Sequence, residues 1–295
     1  MKRALAFVIV IVVGVVALYF TQKKPQTAPV SANTIVEVAA DVQRDVTRIP
    51  MNLTRISDEQ EIEIGNGLAA QYIRNETELN PEQQALQRYV GQVGGRLALK
   101  AHRKLPFQFH VIADSGLLNA FALPGGHVFI GSGMLDLMTS EDEVANVLGH
   151  EIEHIDHYHC AERFQLEANM RKLHLGVIGE LAQIPLSVWQ VGYNKDQELE
   201  ADREGMQLAV LAGYSPYGAV DMFERFAKLH REYVIHAQSP EEELSEVAIQ
   251  GLSGYFRSHP LPSERLAQAN KLIAQEHWQN RKQLKPFRIE YEIKR

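Results

Sequence analysis

The sequence carries one cysteine, Cys160, in 295 residues. It can therefore form no internal disulfide, and zinc cages built from CxxC pairs are excluded. Cationic excess is missing as well. There are 30 Lys and Arg against 37 Asp and Glu, for a net charge of −7, which argues against a nucleic-acid partner and against a polybasic hold on anionic lipid. No internal repeat is present. Long uninterrupted apolar runs are scarce: Ala4 to Phe20 (ALAFVIVIVVGVVALYF) passes seventeen residues without a charge, the short end of a membrane span.

That run is followed by TQKK, not by a small-residue cleavage site. The nearest such site, VSA ending at Ala32, lies about a dozen residues too far on for a cleaved signal. Residues 1–22 are therefore expected to form an uncleaved, single-pass signal anchor in the cell inner membrane, with the bulk of the chain on the periplasmic side. Lys2 and Arg3 face Lys23 and Lys24 across the run, so the positive-inside bias is weak. Residues 23–55, polar at first and broken by Pro25 and Pro29, read as a tether and lead-in.

The globular part, 56–295, reads as one domain. Ile64, Leu68 and Tyr72 recur every four residues, the period of a helix, and Ser57 with Gln60 can cap its start. Pro81 to Leu99 reads as a second helix. Phe107 to Ile112 alternates as a strand does, and Asn119 to Gly131 reads as two short strands around Pro-Gly-Gly. From Ser140 on, helices are expected over roughly 140–170, 172–190, 196–212, 216–230 and 262–278. Leu173 to Gly192 is apolar but holds Glu180, Gln183 and Pro185, which suits a buried or lid helix better than a second span. The fold class is α+β: a mainly helical domain with a small β-sheet or hairpin, behind one transmembrane helix.

The stretch Gly149 to Cys160, GHEIEHIDHYHC, holds four of the twelve histidines. Ser140 and Glu143 form a capping-box pattern that opens its helix. His150 and His154 then sit about 40° apart on one face, one turn apart, close enough for both imidazoles to reach a single ion. Glu151 projects beside that face, where it can meet a water without being a ligand. This is the HExxH arrangement of zinc hydrolases. It leaves the third ligand open. The metzincin pattern needs glycine at 157 and histidine at 160, and the chain has His157 and Cys160. His157 lies a turn beyond His154 and reads as solvated or as a partner to a ligand. His159 points elsewhere and is expected on the surface. A glutamate from a later helix is the other solution. In QELEAD, Glu198 and Asp202 share a face, with Ala201 small enough for close helix approach and Glu200 turned to solvent. Glu198 would complete the site, and Asp202 would take the free ring N–H of a histidine, most naturally His150. Three protein ligands leave a position for water, as catalytic zinc sites do.

Four segments, NAFALPGG (119–126), HEIEH (150–154), ELEAD (198–202) and SHPLPSERL (258–266), match in order and spacing the membrane-associated zinc peptidases. That family includes the CAAX prenyl proteases, the HtpX-type heat-shock proteases and periplasmic quality-control peptidases. The chain resembles it from Ile56 to about Ala274, and departs from its multi-spanning members in showing one clear span. The resemblance implies one Zn²⁺ held by His150, His154 and Glu198, with Glu151 as general base and His259 near the metal. It also implies Asn119 facing the cleft. The expected activity is hydrolysis of peptide bonds in extended or misfolded envelope and membrane proteins, the partners being polypeptide substrates and the membrane. One of the two hairpin strands could be an edge that binds an extended substrate, through Asn119 or through His127, Val128 and Phe129. A zinc-holding, chaperone-like binding protein with His259 over the open position would carry the same motifs. A metal-free tethered helical domain would not need them. Nothing in the sequence fixes an oligomeric state.

Overall fold

The computed structural model describes residues 56–73, 79–170, 188–189, 192–236 and 262–287. The Ala4–Phe20 run, the tether, most of Leu173–Gly192 and His259 lie outside the described residues. Among those described, no helix is long and apolar enough to cross a membrane.

Two helices lead. α1 (Asp58–Ala69) and α2 (Pro81–Ala98) both start at full capping boxes, Ser57 with Gln60 and Asn80 with Gln83. In each, side chain and backbone satisfy one another's orphan donors. Three strands follow: β1 (Gln108–Ile112), β2 (Ala120–Leu123) and β3 (His127–Gly131). The order is β1-β3-β2, with β3 parallel to β1 and antiparallel to β2. The Pro124–Gly126 turn presses onto α1. Gly125 has φ 78°, and a Cβ there would lie 2.5 Å from the Glu61 carbonyl oxygen, so only glycine fits. Glu61, fully buried, accepts from Gly125 N at 3.0 Å and pairs with Arg103.

This topology corrects one expectation. His127, Val128 and Phe129 lie on the central strand, hydrogen-bonded on both sides and buried, so no peptide can add to them. Both hairpin strands are equally apolar, so their sequence does not say which one the earlier β1 will pair with. The outer edge of β1 is also occupied. Gln87 of α2 acts as a substitute strand there, donating Nε2 to Phe109 O (2.6 Å) and accepting from Val111 N (2.8 Å). Among the described residues, the outer side of β2 has no strand partner.

The helices after the sheet are α3 (Ser132–Asp136), α4 (Glu141–Asp156), α5 (His159–Met170), α6 (Lys195–Leu211), α7 (Tyr217–His236) and α8 (Pro262–Gln275). α4 is the centre of the domain: every residue from Asp142 to Asp156 is buried, under β2, α2, α6 and α7. Its Val144, Leu148 and Ile152 join Met134, Phe223 and Phe226 in the main core, each burial stabilising by about 1.5–3 kcal/mol. Ser140 caps α4 by accepting from Glu143 N at 3.2 Å. The reciprocal half of the box is diverted: Glu143 accepts from Thr139 N and Oγ1 and pairs with Arg225 of α7. The single helix expected over 140–170 is two. It breaks at His157 and Tyr158, the latter at φ 61°, a left-handed position that L-residues adopt at a cost of about 1–2 kcal/mol.

Candidate metal centre

α4 and α6 cross where both are smallest. A Cβ on Gly149 would lie 2.7 Å from Gly205 O, and one on Gly205 would lie 2.6 Å from His150 N. These two glycines, together with the buried Ala201, let the backbones close until side chains of α6 reach those of α4. At the crossing, His150 Nε2 lies 3.0 Å from His154 Nε2 and 3.4 Å from Glu198 Oε2. His154 Nε2 lies 3.8 Å from Glu198 Oε1. All three residues are buried, and their ligand atoms lie within 4.8 Å of one another.

The surrounding shell fixes each donor. Asp202 Oδ1 is 2.9 Å from His150 Nδ1. A carboxylate only accepts, so Nδ1 carries a proton and Nε2 is the nitrogen that faces the crossing. Arg265 of α8, 2% exposed, grips Asp202 with Nε to Oδ2 at 2.7 Å and Nη2 to Oδ1. Burial alone would raise the Asp202 carboxyl, but the Arg265 charge beside it carries it down to about 2. His154 is held on two sides. The Tyr193 ring stacks on it at 4.0 Å, and its Nδ1 lies 2.9 Å from His159 Nδ1. Glu198 accepts from Tyr193 N at 2.8 Å in the first turn of α6, where the helix dipole favours a carboxylate.

The donor set fits a zinc ion: two imidazole nitrogens and one carboxylate, buried and with His150 oriented by a second carboxylate. The electrostatics agree. Burial pushes the His150 imidazole down, yet its hydrogen bonds to Asp202 and Glu198 prevail and raise it to about 10, so the crossing favours positive charge. Glu151 sits beside it, 3% exposed, in a cleft lined by Met134, Met222 and Phe223 with Asp202 and Arg265. Burial raises its carboxyl to about 7, the range in which a carboxylate can both take up and release a proton near neutrality.

Of the residues singled out from sequence, the structure brings together His150, Glu151, His154, Glu198 and Asp202. His259 lies outside the described residues. Asn119 is buried at the start of β2, its Oδ1 without a donor among the described residues. Its neighbour Ala120, not Asn119, lines the cleft. His159 overturns its surface expectation: it is 3% exposed and packed on His154. The helix restarts at His159 after the Tyr158 break, so angles counted along α4 do not reach it. Three neighbours of the site are not among the residues the sequence singles out. Arg265 falls inside the SHPLPSERL segment, where the family resemblance points to His259 alone. Gly205 follows Ala201 by four residues, a small-residue stripe legible in the sequence. Tyr193 gave no signal.

A buried His-Glu-His helix, with a second helix delivering a glutamate to the same point, defines an HExxH metallopeptidase. The chain belongs to peptidase family M48, whose sequence profile matches residues 83–273. It is 28% identical over 204 residues to the beta-barrel assembly-enhancing protease of Escherichia coli K12, covering 62% of this chain and 38% of that protein. It is 32% identical over 145 residues to the mitochondrial metalloendopeptidase OMA1 of Schizosaccharomyces pombe, covering 46% and 43%. It is 32% identical over 123 residues to the metalloprotease LoiP of Escherichia coli K12, covering 38% and 48%. The matches thus span less than half the length of these relatives.

Proposed function

We propose that the chain is a zinc-dependent endopeptidase that hydrolyses peptide bonds in extended or misfolded proteins of the cell envelope, as a quality-control activity. Its catalytic domain, 56–295, would stand on the periplasmic side of the inner membrane, tethered by residues 1–22. One observation carries the reading: His150, His154 and Glu198 meet at one buried point with Glu151 beside them. The names of the relatives, among them a beta-barrel assembly-enhancing protease, support the envelope setting.

His150, His154 and Glu198 would hold the ion. A bound Zn²⁺ supplies Lewis acidity for a scissile carbonyl and lowers the pKa of water toward about 7. Glu151 takes the proton of the attacking water and later gives it to the leaving amine, a transfer suited to a carboxyl raised by burial to about 7. Asp202 keeps His150 in the tautomer that offers Nε2, and Arg265 keeps Asp202 ionised. His259 would assist by stabilising the tetrahedral oxyanion. An extended substrate would add to the outer side of β2, whose Ala120 lines the cleft beside His150 and Glu151. That addition selects unfolded segments by their unpaired backbone groups.

The test is digestion of casein, and of a misfolded envelope protein, by the purified chain with and without a chelator. Chelator-sensitive cleavage into internal fragments is expected. A zinc-loaded protein that cleaves neither substrate would favour a binding protein over a protease.

A further inference from the structure

The α4–α6 crossing has a second meeting of ligand atoms, one turn further along. We propose that Glu153, His157 and Glu204 form a second divalent-metal site, distinct from the HExxH centre and suited to Zn²⁺. Like the first, it pairs residues i and i+4 with a glutamate of α6: His150 and His154 of α4 with Glu198, then Glu153 of α4 and its C-cap His157 with Glu204. Its three ligand atoms also lie within 4.8 Å of one another. His157 Nε2 is 2.8 Å from Glu204 Oε2 and 3.5 Å from Glu153 Oε2.

Two further observations point to a cation there. The Glu153 side chain is only 4% exposed and is aimed into the cluster, yet its carboxylate receives no hydrogen bond from a described residue. Its nearest donor atom, His157 Nε2, is directed at Glu204 instead. The charge count is also short. Glu153, Glu200 and Glu204 stand around the imidazole with Arg203 as the nearby guanidinium, 2.7 Å from Glu204. Asp156 adds to the excess, since its carboxylate keeps its charge while accepting from the backbone N–H groups of His102 and Arg103. Carboxylates thus outnumber the one guanidinium in this cluster, a field that favours a cation.

The chemistry of the donors sets the class. One imidazole nitrogen and two carboxylate oxygens suit borderline ions such as Zn²⁺ better than a hard ion such as Ca²⁺, which prefers six or more oxygens. For Nε2 to bind metal, the ring proton must sit on Nδ1. The carboxylate of Glu200 lies on that side, 3.9 Å away, outside direct hydrogen-bond distance. His157 and Glu204 are each about 30% exposed, so an ion can enter from solvent while Glu153 closes the inner side.

The experiment is equilibrium dialysis of the full chain against rising Zn²⁺, with metal per chain read by mass spectrometry. Wild type is expected to take up two ions, one tightly and one more weakly. His157→Ala and, as a near-isosteric check on folding, Glu204→Gln should each weaken the second ion about tenfold or more and leave the tight one in place. Glu198→Gln should do the reverse, losing the tight ion and keeping the weak one. Wild type saturating at one ion per chain, or the two variants with an unchanged second step, overturns the proposal. Because the two steps are read separately, failure of the HExxH assignment shows in Glu198→Gln alone.

Discussion

His150 Nδ1 and Asp202 Oδ1 stand 2.9 Å apart, and that bond decides which nitrogen of His150 faces Glu198. It depends in turn on Arg265, which holds the other face of the same carboxylate. If the proposed ligands hold the ion, the chain from α8 through α6 to α4 sets metal affinity partly through residues that never touch it. Asp202→Asn should lower zinc affinity about 10- to 100-fold, because the amide leaves Arg265 buried without its anion and offers His150 a weaker acceptor. Competition with a chromophoric chelator measures this. Wild-type affinity in the variant would remove Asp202 from the site.

In the proposed mechanism Glu151 contributes chemistry and not coordination. Glu151→Gln should therefore keep one tightly bound zinc per chain while kcat on casein falls about 10²- to 10⁴-fold, the range of a lost general base. The informative result is the pair of measurements on one sample. Loss of both metal and activity would make Glu151 a ligand, and retention of both would make it a bystander.

Gly205→Ala tests the helix crossing. Alanine is the better helix former by about 1 kcal/mol, so a crossing with slack would be stabilised. Here the added methyl meets backbone, 2.6 Å from His150 N, and backbone cannot turn aside as a side chain can. Overpacking of this kind costs about 1–3 kcal/mol or more and would move Glu198 and Asp202 away from the imidazoles. A lower melting temperature together with weaker zinc binding is expected. A rise in melting temperature would show that the crossing is looser than described.

How far the sequence foretold this site depends on how local each signal is. His150, Glu151 and His154 share one helix, so their geometry follows from 3.6 residues per turn. Glu198 and Asp202 share another, and their spacing carries the same information. The crossing that joins the helices is tertiary, yet it left a trace in Ala201 and Gly205. His159 departs from its expected place because the helix period does not run through Tyr158, where the backbone turns left-handed. The strand order was illegible for a different reason. Parallel pairing of β1 with β3 leaves no mark on either strand's pattern, and Gln87 closing the β1 edge lies on a helix twenty-odd residues earlier. Tyr193 sits outside any periodic element, where neither spacing nor propensity speaks.

Acid should destabilise the domain through a pair of histidines on the sheet. His127 Nε2 lies 2.8 Å from Asn66 Oδ1, and His110 Nε2 lies 3.1 Å from His127 Nδ1. An amide oxygen accepts, so His127 carries its proton on Nε2 and its Nδ1 accepts from His110. Every polar atom between the two rings is already matched in the neutral forms, and a further proton on His127 Nδ1 would face the His110 N–H. Burial holds both imidazoles down at about 4, and His127 opposes charge on His110 as well. In the unfolded chain both return to about 6.5. Between pH 6.5 and 4 the unfolded state binds more protons than the folded one, so stability is whole above 6.5 and falls as the pH drops toward 4. The slope is at most about 1.4 kcal/mol per pH unit for each imidazole. His110→Phe keeps a ring against Phe129, on which His110 stacks at 4.6 Å, while removing one titrating group. Urea unfolding at pH 7, 6, 5 and 4.5 should show a shallower loss of stability in that variant than in wild type. Parallel curves for the two proteins would mean that the acid sensitivity lies in other groups and that this pair does not control it.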